Sequence, residues 1–507
     1  MKKDLWVNVM NSFLKGLKTN TNYDLTTNGA IKHKESGSKV LDMFAMCGAY
    51  RNRSDEDCIV AFQAALQEDV TLAMKCLFYL RDVRGGQGER RFFRVCFKWL
   101  CAELPEVAIR NLDNISEFGR WDDLIYGTLD TPVFEEAMTI VKKQLILDLD
   151  CKTPSLLGKW LPSENASSRK TKIAGSAVRN SLGWTHKEYR KVLSSLREKI
   201  NIVETLMSEN RWDEIEFDKI PSKAGLVYRN AFARRDIIKA KYEKFAKDKT
   251  TKVNAEVLNP VDIADKCVGL YYHTPDSTER AMLDKYWENL KDYYNGRQEN
   301  GIAVVDVSGS MCGQPMNAAV SMGTYIAERG KGAFANHFIT FSNRPELVEI
   351  QGVDIYDKFT RMKKADWGMS TNLEAVLDLL LKTALSSNKD DMPERLYIFS
   401  DMEFNRAISN KTESNYGYSC LANRLDKNGI DTLIEKKKKE WSAYGVEIPQ
   451  IIFWNLDSRN QNIPAIGKGF SYVSGFSINM VECILSGKDG YDLMLEKLLS
   501  ERYAVIQ

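Results

Sequence analysis

The residues of this 507-residue chain best suited to chemistry begin with Asp306-x-Ser308-x-Ser310. One carboxylate and two hydroxyls at alternate positions are hard oxygen ligands, the kind that suit a small divalent cation such as Mg2+. They directly follow Ile302-Ala303-Val304-Val305, a short unbroken apolar run that predicts a central parallel strand buried on both faces. Downstream, Met316, Ala319, Val320, Gly323, Ile326 and Ala327 recur at helical spacing. Strand, polar turn and helix in that order put the three oxygens at the carboxyl end of a strand, where open α/β sheets hold their ligands. The competing reading is a helix cap, with Ser308 or Ser310 accepting from free backbone N–H groups.

Two further stretches bear on that choice. Trp367-Gly368-Met369-Ser370-Thr371-Asn372 precedes an amphipathic pattern of Leu373, Val376, Leu377, Leu380 and Ala384. Leu396-Tyr397-Ile398-Phe399 is a second buried-strand run and ends in Ser400-Asp401. Asp-x-Ser-x-Ser, then a loop threonine, then an aspartate after a later strand, resembles the von Willebrand factor A domain and its metal-ion-dependent adhesion site. The resemblance implies that Asp306, Ser308, Ser310, Thr371 and Asp401 surround Mg2+ or another divalent cation. One position would stay open for water or for an acidic residue of a protein partner.

Around these segments, His337 to Phe341 reads as a strand with a hairpin partner near Leu347 to Ile350. Ile451 to Trp454 and Phe470 to Val473 read as further strands, and residues 427–444 as a charged helix. Strands alternating with helices predict βαβ units and a mostly parallel sheet. The Lys436 to Lys439 run reads as a solvated helix face.

Residues 1–295 have a different texture, with successive amphipathic helices joined by short polar turns. Ile59, Phe62, Ala65 and Leu66 mark one helix, and Leu72, Met74, Cys76 and Leu77 the next. Arg120-Trp121-Asp122-Asp123-Leu124 is echoed by Arg211-Trp212-Asp213-Glu214-Ile215, which suggests stacked helix pairs in a solenoid, with a plain bundle as the alternative. Charge is uneven here: residues 151–200 carry a net +8 and residues 101–150 a net −7. Lys159, Arg169, Lys170, Lys172, Arg179, Lys187, Arg190 and Lys191, interleaved with Trp160, Trp184 and Tyr189, form a candidate RNA-binding stripe. Its bases would hold phosphates and its rings would stack unpaired nucleotides. The alternative is an internal match between this stripe and the acidic segment before it.

Tyr79-Leu80-Arg81-Asp82-Val83-Arg84-Gly85-Gly86-Gln87-Gly88-Glu89-Arg90-Arg91 and Gly119-Arg120-Trp121-Asp122-Asp123-Leu124 resemble two elements of the TROVE module. That module is a ring of HEAT-like helical repeats which, in Ro proteins, precedes a von Willebrand A domain. Lys159 to Ser163, Lys187 to Arg190 and Ile220 to Ala224 are similar to segments of an uncharacterised Ro-like family. The resemblance implies a multi-domain protein: an all-α, TROVE-like helical-repeat solenoid over 1–295, then a Rossmann-like α/β A domain over 296–507. It also implies an RNA-binding ribonucleoprotein scaffold; a metal-dependent protein-assembly module without RNA is the alternative. Read physically, the Gly85 to Gly88 loop is a tight interhelical turn, with phosphate binding by its backbone N–H groups as the rival account.

Composition sets the outer bounds. The formal net charge is +2, with 44% hydrophobic and 28% charged residues, ordinary values for a soluble globular chain. No apolar run reaches membrane-spanning length, and Asp4, Asn8 and Asn11 interrupt any signal-peptide core, so a cytoplasmic protein without membrane contact is expected. Ten cysteines without a Cys-x-x-Cys pair read as reduced, mostly buried thiols. A hydrolase would need a general base beside the cation. Glu403 is the one nearby candidate and reads as an exposed loop carboxylate, so a non-enzymatic scaffold is expected.

Overall fold

The computed structural model describes residues 22–200, 202–269, 275–364, 370–405, 432–460 and 462–507. Trp367 to Met369, Cys420 and the first residues of the 427–444 helix lie outside them. The chain is multi-domain, with a mostly helical N-terminal region and a C-terminal α/β sheet.

The sheet follows directly from the apolar runs. In chain order its strands are β3 (Gly301–Val305), β4 (His337–Thr340), β5 (Leu347–Glu349), β6 (Arg395–Ser400), β7 (Gln450–Asn455) and β8 (Phe470–Ser474). They lie side by side as β5-β4-β3-β6-β7-β8, parallel throughout except for β5, which runs against β4. From Ile302 to Val305, from Leu396 to Ser400 and from Ile451 to Asn455 every residue is buried, as expected of strands covered by helices on both faces. The helix Gln314–Arg329 packs close behind β3, where Gly323 leaves no room for a side chain against Val305 Cγ2.

The helical region is built from pairs of neighbours. Asp55–Glu68 and Val70–Arg81 are two arms of one hairpin, with Phe62, Ala65, Leu66, Met74, Cys76 and Leu77 buried. Further pairs are Leu157–Trp160 with His186–Ile200, and Ser222–Arg234 with Asp236–Lys247. The sequence echo holds only at its first copy. Trp121–Thr128 is an α-helix, whereas Trp212–Glu214 is a single 3-10 turn braced by Arg211 against Glu209 and Glu214.

One expectation needs correction. The N-terminal region is not all-α: β1 (Tyr23–Leu25) and β2 (Ile31–His33) form an antiparallel hairpin. Strands of three residues are too short to show an alternating pattern, but Asn28-Gly29 at the tip is a strong hairpin signal, and Gly29 takes φ +85°. Residues 22–52 are also integral to the sheet region. His33 bridges Ile463, the Gly48 N–H donates to Ser474 Oγ at 3.0 Å, and Ser474 Oγ donates to Phe44 O at 3.2 Å. At the other end of the helical region, Pro260–Gly269 packs on Gln314–Arg329 and Ser277–Glu288 packs on Ile355–Lys364. Both ends of the helical region are thus seated on the α/β region, and one contiguous core runs through both.

The Gly85–Gly88 loop is the tight turn expected. Gln87 N–H bonds Tyr79 O, Gly88 N–H bonds Asp82 O and Glu89 N–H bonds Leu80 O at 2.7–3.1 Å, so these donors are spent inside the turn. Gly88 has φ +67°, and a Cβ on Gly86 would collide with Tyr79 O. Among the described residues no helix is long and apolar enough to cross a membrane. Cys47, Cys58, Cys76, Cys96, Cys101 and Cys267 are buried free thiols, while Cys151 and Cys312 are exposed.

Candidate metal centre

Where β3 ends, the chain turns one way to β4 and later returns on the other side as β6. The carboxyl ends of β3 and β6 therefore flank the switch point of the sheet, the place where open α/β sheets form a crevice. Asp306 follows β3 and Asp401 follows β6. The ladder carries one bond past the strands, from Asp306 N–H to Phe399 O at 3.0 Å, so the two ligand turns start in fixed register.

Asp306 is fully buried. Its Oδ1 accepts from the Ser308 N–H at 2.9 Å, and its Oδ2 accepts from Ser400 Oγ at 2.6 Å. Ser308 and Ser310 place their hydroxyl oxygens 3.0 Å apart. Neither caps a helix. The 3-10 turn Gly309–Met311 and the following helix, which begins after Gly313 at φ +96°, have no side-chain cap. The capping account of the Asp-x-Ser-x-Ser turn therefore fails here, and the serine oxygens face each other.

Asp401 is also buried. Its Oδ1 accepts from the Glu403 N–H at 3.1 Å, while its Oδ2, sealed from solvent, has no hydrogen-bond partner among the described residues. Met402, immediately after it, is a buried non-glycine residue at φ +63°, whose N–H bonds Ser400 Oγ at 3.0 Å. Backbone strain of this kind, about 1–3 kcal/mol, persists only where the surroundings enforce it. Burial and then the Asp401 charge push the Asp306 carboxyl up to about 7. Burial raises Asp401 too, opposed by the Ser310 hydroxyl and the Glu403 N–H. Among the described residues neither aspartate has an ion-pair partner. Two desolvated carboxylates that repel each other, one with an orphaned oxygen, form a donor set that a divalent cation would satisfy.

Thr371 stands one step away. Buried just before the N-cap Asn372, it directs its hydroxyl to Glu403 O at 3.0 Å, with Asn405 Oδ1 at 3.2 Å. Asn405 N–H returns a bond to Thr371 O at 2.9 Å. The structure thus links Asp306, Ser308, Ser310 and Asp401 in one polar network, and ties Thr371 to it through residues 403–405. Ser370 Oγ, next to Thr371, is a further buried oxygen without a hydrogen-bond partner among the described residues.

Glu403 corrects the sequence reading: it is buried, not exposed. Its carboxylate accepts from Thr27 N–H at 2.6 Å, Asn460 Nδ2 at 2.8 Å and Asn462 Nδ2 at 2.7 Å. Despite burial, the Asn460, Thr27 and Asn462 hydrogen bonds hold it below the ordinary carboxylate range. A saturated, acidified carboxylate makes a poor general base. Thr26, Thr27, Asn28, Asn460 and Asn462, which surround it, gave no metal-ligand signal in the sequence; only the Asn28-Gly29 turn marks the hairpin that delivers the first three.

The basic stripe divides in two. Lys159 pairs with Glu204 at 3.3 Å and Arg179 with Glu164 at 2.9 Å, so these two turn inward. Tyr189 is buried with its hydroxyl on Pro162 O, and the Arg120 guanidinium covers the Trp160 ring at 3.9 Å, which removes both rings from base stacking. Arg169, Lys170, Lys172, Lys187, Arg190 and Lys191 are exposed, in the opening turns of two helices. Both ion pairs of the stripe run to Glu164 and Glu204 rather than to the acidic 101–150 segment. The Lys436 to Lys439 run lies on the helix Leu433–Ala443, where Lys438 and Lys439 are exposed but Lys437 is buried and paired with Asp378 and Glu440.

The family model described as "Domain of unknown function (DUF2828)" matches residues 26–126 and 133–297, and the one described as "Domain of unknown function (DUF7788)" matches residues 300–502. "Uncharacterized protein L728" of Acanthamoeba polyphaga mimivirus is 29% identical over 514 residues, spanning 92% of this chain and 85% of its own length.

Proposed function

Because the chain belongs to the family described as "Domain of unknown function (DUF2828)", whose description carries no activity, we propose a function from the site itself: a Mg2+-dependent scaffold of the Ro type. In this reading the helical region is TROVE-like and the α/β region is a von Willebrand A domain. Asp306, Ser308, Ser310 and Asp401 hold the cation, and Thr371 joins them. The observation that carries the reading is the buried pair Asp306 and Asp401, with Asp401 Oδ2 unpartnered. Mg2+ there would neutralise the two carboxylates and offer its open position to an oxygen of a partner. Glu403 is too well satisfied to activate water, which favours binding over hydrolysis.

RNA is the partner this reading favours. Arg169, Lys170 and Lys172 open a helix that has no acid in its first turn, the end at which the macrodipole disfavours cations by about 0.3–1 kcal/mol each. A bound phosphate reverses that penalty. With Tyr189 buried and Trp160 covered by Arg120, the half-buried Trp184 alone of the three rings is left to stack, so the contact rests chiefly on phosphates and is tolerant of sequence. The test is the salt dependence of binding to a single-stranded oligoribonucleotide. Substituting Lys172, Lys187 and Lys191 by Ala should lower the slope of log affinity against log salt by about 0.7 per contact removed. An unchanged slope removes this face from the binding site. A protein partner seated on the cation is the second reading, favoured by the same loss of stacking rings; recovery of a protein that Asp306→Ala releases, with no RNA bound, selects it.

A further inference from the structure

The β1–β2 hairpin is bonded to the segment beside the candidate cation site. The β1–β2 hairpin tip, Thr26 to Gly29, is bonded along the whole segment that follows Asp401. Thr26 Oγ1 donates to Phe404 O at 2.7 Å, Thr27 N–H to Glu403 Oε2 at 2.6 Å and Asn28 Nδ2 to Glu403 O at 2.6 Å, while Gly29 bridges Asn405. Asn460 Nδ2 reaches back to Thr27 Oγ1 at 3.3 Å, and the buried Lys32 amine is held by Asn462 Oδ1. Asn28 Nδ2 also donates to Thr371 Oγ1 at 3.4 Å.

That last contact sets up a competition. A threonine hydroxyl has one proton and two lone pairs. Here the proton is directed at Glu403 O, and one lone pair accepts from Asn28. A cation draws on the same oxygen, and an N–H donor beside it both occupies a lone pair and opposes positive charge. Among the described residues, the exposed Asn28 amide donates to Glu403 O and Thr371 Oγ1.

We propose that the hairpin tip is an intramolecular latch on the cation site, in which Asn28 holds the Thr371 hydroxyl and the 403–405 segment in a low-affinity arrangement that divalent cation binding releases. The inference rests on the Mg2+ reading above. It names a regulatory element that the reading does not require, because Asp306, Ser308, Ser310 and Asp401 converge without the hairpin.

Linkage makes the latch testable from both sides. If releasing the tip raises cation affinity by some factor, the cation must favour tip release by the same factor. Mg2+ titration calorimetry on the full chain should show Asn28→Ala binding about two- to tenfold more tightly than the native protein, the range expected for losing a competing hydrogen bond. The gain should vanish when Asn28→Ala is placed in a Thr371→Ala background. In the native chain, saturating Mg2+ should speed hydrogen exchange at the Thr27 and Gly29 amides, a readout that needs no variant. Native binding with Asn28→Ala no tighter, or slower exchange at the tip, overturns the latch while leaving the metal site standing. No Mg2+ binding that Asp401→Asn abolishes overturns the reading beneath it, and the latch with it.

Discussion

Two buried acidic clusters stand at the most recognisable segments of this chain, and they differ in what answers their charge. In the helical region, Asp123 is fully buried and accepts from Arg81 Nε at 2.8 Å, Arg94 Nε at 2.6 Å and the Arg120 N–H at 2.9 Å. Asp82, close by, is held by Arg502 Nη2 at 2.7 Å, by Arg502 Nε and by the Tyr503 hydroxyl from the far end of the chain. At the sheet rim, Asp306 and Asp401 are hydrogen-bonded by hydroxyls and N–H groups, Arg459 acts on Asp401 without an ion pair, and among the described residues Asp401 Oδ2 has no hydrogen-bond partner. A buried carboxylate answered by guanidinium groups is a structural joint. One that no ion pair answers, with Arg459 acting on Asp401 only at longer range, is where we propose a divalent cation.

Removing one charge should therefore have opposite effects at the two places. Arg81→Ala leaves Asp123 buried with part of its compensation gone, and should cost about 3–5 kcal/mol of stability in denaturant titration. A loss under 1 kcal/mol would mean that Arg94 alone satisfies the cluster. Asp401→Asn removes a repelled charge, so without divalent cations it should stabilise the protein by on the order of 1 kcal/mol. A destabilisation as large as that of Arg81→Ala would erase the contrast.

Acid sharpens the comparison more gently. Burial opposes ionisation of Asp82, but the Arg502 hydrogen bonds and the Arg84 and Gly85 N–H groups outweigh it and hold the carboxyl below its ordinary range. With the folded value depressed, this contact contributes fully above about pH 4 and is lost as pH falls through the lower folded value. Arg502 is a third exposed, so its share is discounted to about 1 kcal/mol. Thermal unfolding followed from pH 5 to pH 2 should show a shallower decline for Arg502→Ala. Parallel curves would assign the acid sensitivity elsewhere.

The sheet was legible in the sequence because fully buried parallel strands are unbroken apolar runs; β3, β6 and β7 announce themselves in this way, and β8 more weakly. The turn oxygens Asp306, Ser308 and Ser310 were legible because they lie within five residues. What could not be read was pairing at a distance. Arg81 and Asp123 sit in two separately recognisable segments, yet nothing local shows that each satisfies the other. Lys159 and Arg179 count as surface charge until Glu204 and Glu164 are found beside them. The N-terminal hairpin escaped because three-residue strands carry too little pattern, and its Asn28-Gly29 tip gives a turn without saying what the turn touches.

The central claim is that the oxygens at the ends of β3 and β6 hold a divalent cation. Mg2+ titration of the native chain and of Asp401→Asn, both shown folded by circular dichroism, tests it most directly. One saturable site in the native protein, lost in the variant, is the predicted result. Equal binding by the two, or none by the native chain, would contradict it.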